Sequence, residues 1–127
     1  MRLNSESMEM YLEDIYVLGL ELDTVRPVNL AKKMGFSKPT ISEWMTKLRE
    51  QGYVEPDNGT GLHLTPKGEE IAKRVYERHI LLCNLFEKMG VSTATAEEDA
   101  CRVEHYISEE TFTHMKKFYA WLESMPA

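Results

Sequence analysis

Residues 28–64 read VNLAKKMGFSKPTISEWMTKLREQGYVEPDNGTGLHL, and this stretch decides the fold. A short amphipathic segment ends at Gly35, a residue type that favours the left-handed cap of a helix. Ser37 follows as an N-cap, with a proline in the first turn of the next helix, where proline costs little. Two short extended segments, 53–55 and 62–64, then flank a turn rich in Asp, Asn and Gly that we expect to need positive φ. The pattern predicts two helices and a β-hairpin.

This order is typical of a winged helix-turn-helix, whose second helix enters the major groove of DNA. A purely structural pair of helices is the alternative. The outward face of the second helix favours a DNA-binding function because it presents short hydrogen-bond donors and acceptors flanked by cations. The candidate DNA-binding residues are Lys32, Lys33, Ser37, Lys38, Pro39, Thr40, Ser42, Glu43, Lys47 and Arg49. So few cations per chain predict a dimer on a two-fold related site.

Helices are predicted on both sides of this stretch. An apolar stripe at helical spacing indicates a first helix that begins at a Ser5 or Ser7 cap and ends near Leu20. Three further helices follow the hairpin, over about 66–90, 94–107 and 109–124, with caps at Thr65 and Ser108. The fold class is therefore mainly α with a small β-hairpin wing. We expect a winged helix-turn-helix domain at 1–72 and a helical domain at 73–127.

Composition narrows the class of protein. The chain has 127 residues, 43% of them hydrophobic and 28% charged, as in an ordinary soluble domain. It has no apolar run near the roughly 20 residues of a membrane helix, and its first residues do not resemble a signal peptide. We therefore expect a cytoplasmic protein, without a membrane partner. Its two cysteines are expected to be thiols or ligands rather than a disulfide.

The charge is unevenly distributed along the chain. The net charge of −6 on its own argues against a nucleic-acid partner. However, residues 26–78 carry ten basic and seven acidic side chains, whereas the remaining residues carry five basic and fourteen acidic ones. A cationic middle between acidic flanks suits a polyanion-binding unit joined to a part that binds cations or dimerises.

Possible metal ligands recur at helical spacing. Cys101, Glu104 and His105 are spaced i, i+3 and i+4 inside the predicted fifth helix, so that they share one face. His79 with Cys83, and Met10 with Glu13, form similar pairs on two other helices. Each pair alone is more typical of core packing. If the three converge, thiolate, carboxylate and imidazole would suit a divalent transition metal.

Five segments in this order resemble the diphtheria toxin repressor family of metal-dependent transcriptional regulators: MEMYLEDIY at 8–16, GFSKPTIS at 35–42, LTPKG at 64–68, RHILL at 78–82 and CRVEH at 101–105. The resemblance covers essentially the whole chain. It implies a homodimer with an N-terminal winged-helix domain, a helical metal-binding and dimerisation domain, and metal-activated binding to operator DNA. The length is similar to that of short members, such as the manganese transport regulators, which lack the SH3-like domain.

The resemblance also implies a ligand set. The activating site of iron-type members corresponds to Met10, Cys101, Glu104 and His105, and a second site corresponds to His79 with Glu13 close by. Two further positions depart from the iron-type pattern: Cys83 stands where those relatives have a carboxylate, and Glu97 where they have a histidine. Whether a second site forms is therefore open.

Softer donors favour iron over manganese. Manganese-type relatives have carboxylates at positions 10 and 101, whereas a thioether and a thiolate suit Fe²⁺ better than Mn²⁺. Co²⁺, Ni²⁺ and Zn²⁺ are expected to bind in vitro as well. We therefore expect an iron(II)-dependent repressor, with a manganese(II)-responsive regulator or a thiol-based redox sensor as alternatives. We expect neither an enzyme nor a small organic substrate, because 127 mainly helical residues offer little room for a substrate cleft.

Overall fold

The computed structural model describes residues 5–126, without the side chain of Ser5, whose expected cap therefore lies outside the described part. The elements are α1 (Ser5–Glu21), α2 (Pro27–Met34), α3 (Lys38–Glu50), β1 (Val54–Pro56), β2 (Leu62–Leu64), α4 (Pro66–Lys88), α5 (Thr93–Val103) and α6 (Glu109–Glu123). The predicted mainly α fold with a two-stranded wing is confirmed. None of the helices within residues 5–126 has both the length and the apolar character needed to cross a membrane.

The chain divides within α4 into two compact units, Met1–Arg74 and Val75–Ala127. We call them the first unit and the second unit. The first contains α1 to α3 and the wing, and the second contains α5, α6 and the C-terminal part of α4.

Local capping fixes the helix-turn-helix of the first unit, as the sequence predicts. Gly35 ends α2 in the left-handed conformation, with φ of 71°, and its N–H donates to the Ala31 carbonyl at 2.9 Å. The Ser37 hydroxyl accepts the N–H of Thr40 at 3.3 Å and thereby caps α3. These two caps set the short turn between the helices.

The wing is a hairpin in which Val54 pairs with Leu64 and Pro56 with Leu62. Its turn differs from the prediction, because no residue of 57–61 has positive φ. The Asp57 carboxylate instead accepts the N–H groups of Gly59 and Gly61, at 2.9 and 3.1 Å, and this closes a five-residue loop. Gly61 is needed for space, since a Cβ there would collide with the Asp57 side chain.

A continuous apolar core holds the first unit together. The predicted apolar stripe of α1 meets an apolar face of α3 there, joined by residues of α2 and the wing. The buried members are Tyr11, Leu12, Ile15, Val25, Leu30, Ile41, Met45, Leu48, Val54, Leu62 and Ala72. The buried stripes fix which face of α3 points outward.

The second unit buries fewer apolar side chains, namely Val75, Leu82, Leu85, Ala96, Ala100 and Phe112. Ser108 caps α6 as predicted, because its hydroxyl accepts the Thr111 N–H at 3.1 Å. The fifth helix is shorter than the expected 94–107. It ends at Val103, and Glu104 and His105 lie in the turn that follows.

The early end of α5 has a local cause. The N–H of Tyr106 donates to the Val103 carbonyl at 3.0 Å, so the chain tightens into an i to i+3 turn beyond the helix. Glu104 still has right-handed helical dihedrals and donates to Ala100. Glu104 therefore keeps the helical spacing to Cys101, although the prediction that Glu104 and His105 lie inside the helix is wrong.

Candidate metal centre and nucleic-acid interface

His79 is the centre of a polar cluster in the second unit. Its position on α4 makes it a neighbour of Cys83 one helical turn later, and its side chain is buried. Glu97, on α5, contacts the same ring nitrogen of His79 as Cys83 does. Glu104 and Cys101 lie at the other nitrogen. A single imidazole therefore has a pair of donor residues on each side.

The first pair of donors lies at Nε2. Glu97 Oε1 is 2.8 Å from His79 Nε2, and Cys83 Sγ is 3.6 Å from the same nitrogen. The Cys83 thiol also donates to Glu97 Oε2 at 3.3 Å. Glu97 is largely exposed, so this side of the cluster is accessible to solvent.

The second pair lies at Nδ1. Glu104 Oε2 is 2.8 Å from His79 Nδ1, and Cys101 Sγ is 3.9 Å from it. The other Glu104 oxygen is 3.3 Å from His105 Nε2. Glu104 is almost fully buried, with 1% of its surface exposed, so its charge needs such close partners.

The cluster changes the protonation of its members. Hydrogen bonds that His79 donates to Cys101 and Glu104 raise the pKa of His79 to about 12, against the opposing effect of burial. Burial and the hydrogen bond to Glu97 raise the pKa of Cys83 to about 12, against the effect of the His79 charge. Without a metal ion, the folded cluster thus holds an imidazolium and a neutral thiol at neutral pH.

These side chains fit a divalent metal ion. Donor atoms of His79, Cys83 and Glu97 all lie within 4.8 Å of one another. Tetrahedral coordination with metal–nitrogen and metal–oxygen bonds of about 2.1 Å and a metal–sulfur bond of about 2.3 Å separates donors by roughly 3.4–3.6 Å. The distances from Cys83 Sγ to His79 Nε2 and to Glu97 Oε2 are close to that range. The other Glu97 oxygen, Oε1, is only 2.8 Å from His79 Nε2 and would have to move away if it were the ligand. Imidazole, thiolate and carboxylate together suit a transition metal.

Arg78 supports this centre and was not among the expected site residues. Its Nη1 donates to the carbonyls of Glu104 and Ile107, at 3.3 and 2.6 Å, and Nη2 pairs with Glu109 at 3.0 Å. Arg78 therefore holds the turn that carries Glu104. Its place in the RHILL segment, next to His79, is a sequence signal, but no local pattern connects it with a turn some 26 residues later.

The structure regroups the ligands that the sequence suggests. His79 contacts Cys83 and Glu97 as well as Cys101 and Glu104, so it touches members of both implied sites. His105 contacts Glu104. Met10 and Glu13 lie on α1 in the first unit, and their assignment as ligands stays a prediction.

The expected DNA-binding residues lie in the first unit. Eight of them are exposed: Lys32, Lys33, Ser37, Lys38, Pro39, Ser42, Glu43 and Arg49. Thr40 differs from its expected exposure, since it is half-buried and its hydroxyl accepts from Ser37 at 3.0 Å within the α3 cap. Lys47 is also half-buried and forms an ion pair with Glu43 at 3.2 Å.

Comparison with known families covers nearly the whole chain. The profile described as the iron dependent repressor N-terminal DNA binding domain matches residues 4–62. The profile described as the iron dependent repressor metal binding and dimerisation domain matches residues 65–127.

Individual relatives agree with the profiles. The transcriptional regulator MntR of Salmonella typhimurium is 35% identical over 106 residues, which are 84% of this chain and 68% of that protein. An HTH-type transcriptional regulator of Methanocaldococcus jannaschii is 34% identical over 90% of this chain and 93% of its own length.

Solved structures give the same fold. The manganese regulator SloR superposes with a TM-score of 0.77 at 30% identity, over 95% of this chain and 55% of SloR. The metal-dependent transcriptional regulator MtsR gives 0.80 at 27% identity, over 89% of this chain and 53% of MtsR. The chain thus spans about half the length of these two proteins.

Proposed function

The chain belongs to the iron dependent repressor family, and we propose that it is a transcriptional repressor that binds operator DNA when a divalent metal is bound. The observation that carries the proposal is the cluster of imidazole, thiol and carboxylate donors around His79, on the same chain as a winged helix-turn-helix. We further propose a cytoplasmic homodimer with no enzymatic activity.

The two units would have separate tasks. In the first, the exposed cations and the α3 cap would contact phosphates, while the residues of the outer α3 face would read base edges. In the second, His79, Cys83 and Glu97 would hold one ion, and Cys101, Glu104 and His105 would contribute ligands to another. A bound cation would supply positive charge that compensates the carboxylates and thiolates of this cluster. Met10 and Glu13 of the first unit remain predicted ligands.

A titration of selected DNA tests this proposal. Duplexes are selected from a random-sequence pool with Mn²⁺-loaded protein, and their affinity is measured by fluorescence anisotropy with metal and with EDTA. We expect the chelator to weaken binding at least tenfold, within the usual range of allosteric coupling of about 5- to 150-fold. Equal affinity with metal and with EDTA would refute a metal-activated repressor.

We propose Fe²⁺ as the preferred ion because two thiols border the imidazole. Mn²⁺ is the second candidate, favoured by the names of several relatives, including the manganese regulator SloR. Anaerobic titration gives the concentration of each ion at half-maximal DNA binding. A lower concentration for Fe²⁺ supports the first candidate, and Cys101→Glu should then shift the preference towards Mn²⁺. A lower concentration for Mn²⁺ in the wild type would assign manganese instead.

A thiol-based redox sensor is less favoured. Thiolates rather than thiols react with oxidants, and burial together with Glu97 keeps Cys83 protonated. Protein purified without oxygen distinguishes the two functions by its metal content. Bound transition metal supports the repressor proposal, whereas metal-free protein whose DNA binding responds to peroxide would support the sensor.

A further inference from the structure

Aromatic rings link the first helix to the outer helix of the helix-turn-helix. Tyr11 of α1 stacks on Trp44 of α3, with ring centroids 4.7 Å apart and planes inclined by 21°. Phe36, in the turn between α2 and α3, packs on Tyr11 at 6.2 Å. Tyr11 is 1% exposed, and within residues 5–126 its buried hydroxyl has no hydrogen-bond partner. Its place therefore depends on ring packing rather than on its hydroxyl.

Lys47 lies beside the end of this stack. Its Nζ is 5.1 Å from the Trp44 ring centroid, within the distance at which a cation is attracted to the ring face. Glu43, one turn earlier on α3, pairs with the same Nζ at 3.2 Å. The Lys47 side chain is 21% exposed and Glu43 is 66% exposed. The Lys47 side chain is therefore mostly covered, whereas its ion-pair partner Glu43 is mostly exposed.

We propose that the Tyr11–Trp44 stack positions Lys47 to contact a DNA backbone phosphate. This inference rests on the proposed function, because it requires α3 to bind DNA. It assigns roles to Tyr11 and Trp44, which have no DNA-binding role in the proposal above. Trp44 is a positioning residue, since it acts through Lys47.

Physical chemistry favours this role. A free lysine side chain samples many rotamers, and fixing it in a complex costs conformational entropy. The Trp44 ring restricts Lys47 before DNA arrives, and Glu43 occupies only part of its three-donor ammonium group. Because Tyr11 stacks on the Trp44 ring, it restricts the movement of that ring. The ammonium group is thus presented close to its binding position.

The salt dependence of DNA binding measures the contact directly. Mn²⁺-loaded protein is titrated with a fluorescent 24-base-pair duplex of random sequence at several salt concentrations. Each phosphate contact contributes about 0.9 to the slope of log affinity against log salt. We expect Lys47→Gln to lower the slope by about 0.9 for each protomer, which is about 1.8 for the proposed homodimer. Trp44→Leu should lower it by nearly as much, and the double variant should lower it no further than Lys47→Gln alone.

Conservative variants separate positioning from folding. Trp44→Phe keeps a ring and should retain most of the slope. Tyr11→Phe removes only the unpartnered hydroxyl and should change nothing, whereas Tyr11→Leu should act like Trp44→Leu. Circular dichroism checks that every variant is folded.

Fluorescence gives a second measurement if the leucine variants fail to fold. The chain has two tryptophans, so Trp121→Phe leaves Trp44 as the only one. DNA should change the Trp44 emission, and Lys47→Gln should remove that change. Constant emission on DNA binding would overturn the proposal.

The outcomes distinguish this proposal from the proposed function. If Lys47→Gln, or folded Trp44→Leu, keeps the full salt slope while the wild type binds DNA, the positioning role is refuted and the repressor proposal stands. If the wild type loaded with either Mn²⁺ or Fe²⁺ binds neither this duplex nor the selected duplexes, both are refuted.

Discussion

The two units are stabilised in different ways. The first unit has a continuous core of eleven buried apolar residues, whereas six are buried in the described part of the second unit, two of them alanines. The second unit also buries two ionisable side chains, His79 and Glu104, whereas the described part of the larger core in the first unit is accompanied by one, Glu13. Because apolar burial is the main driving force of folding, the first unit should be stable without a ligand. The stability of the second should depend on what binds its polar cluster.

Matched leucine-to-alanine substitutions, one in each unit, test this difference in stability most strongly. Leu48 and Leu82 are both fully buried, one in each unit. Replacement of a buried leucine by alanine costs about 2–5 kcal/mol, depending on the packing around the cavity. We expect Leu48→Ala to lie near the upper end and Leu82→Ala near the lower end. Chemical denaturation of the metal-free protein measures both, and a larger loss for Leu82→Ala would contradict the comparison.

Removal of the central imidazole should abolish the response to metal. A ligand at about 100 times its Kd stabilises a protein by roughly 2.7 kcal/mol. We expect wild-type protein to gain this much with Mn²⁺ or Fe²⁺, and His79→Gln to gain almost nothing. His63→Gln, in the exposed wing, is the control and should behave as wild type. Thermal unfolding with and without metal gives the values, and an undiminished gain in His79→Gln would remove His79 from the site.

Acid should weaken metal binding. The pKa values of about 12 for His79 and Cys83 mean that an incoming ion must displace their protons. Apparent affinity should therefore rise between pH 6 and pH 8, by up to about tenfold per pH unit for each proton displaced. Calorimetry in buffers of different ionisation enthalpy counts those protons. Affinity that does not change with pH would mean that neither group is a ligand.

The stability of the metal-free second unit should fall as the pH rises, which is opposite to the rise expected for metal affinity. In the unfolded chain His79 has its ordinary pKa of 6.5, so above that pH only the folded state keeps its proton. The stability that this proton provides is complete below pH 6.5 and is lost as pH rises towards about 12. Denaturation of metal-free protein at pH 6 and pH 9 should show lower stability at pH 9. An equal loss of stability between pH 6 and pH 9 in wild type and in His79→Gln would contradict the assignment of this loss to His79.

Two equivalent helix caps give the smallest expected effect. Ser37 and Ser108 each accept the N–H of a residue three positions later, one in each unit. Loss of such a cap costs about 0.5–2 kcal/mol. Ser37→Ala and Ser108→Ala should be similarly destabilised, but only Ser37→Ala should also weaken DNA binding, because Ser37 begins α3. Equal DNA affinity for the two variants would place the α3 N-terminus away from DNA.

The sequence predicts the first unit well because its signals are local. Gly35 and Ser37 determine their caps through residues at most four positions away. The turn of the wing was the exception. Its Asn-Gly pattern suggested positive φ, but the Asp57 carboxylate satisfies the N–H groups of the loop in another way.

The metal centre was predictable only in part. Spacing correctly placed Cys101 and Glu104 near each other, and His79 near Cys83, since both pairs are one helical turn apart. It could not show that both pairs share one imidazole, because that depends on how α4 packs against α5. Nor could it show the contacts of Arg78 with the turn after α5, which join residues 26 and 29 positions apart.

The central claim is that the metal site and the DNA-binding site are thermodynamically coupled. Linkage requires DNA to raise metal affinity by the same factor by which metal raises DNA affinity. The direct measurement is the Kd for Mn²⁺, obtained with a fluorescent chelator as competitor, with and without saturating selected duplex. Metal binding should be tighter with DNA, by the factor found in the anisotropy titrations. An identical Kd for Mn²⁺ with and without DNA would contradict it.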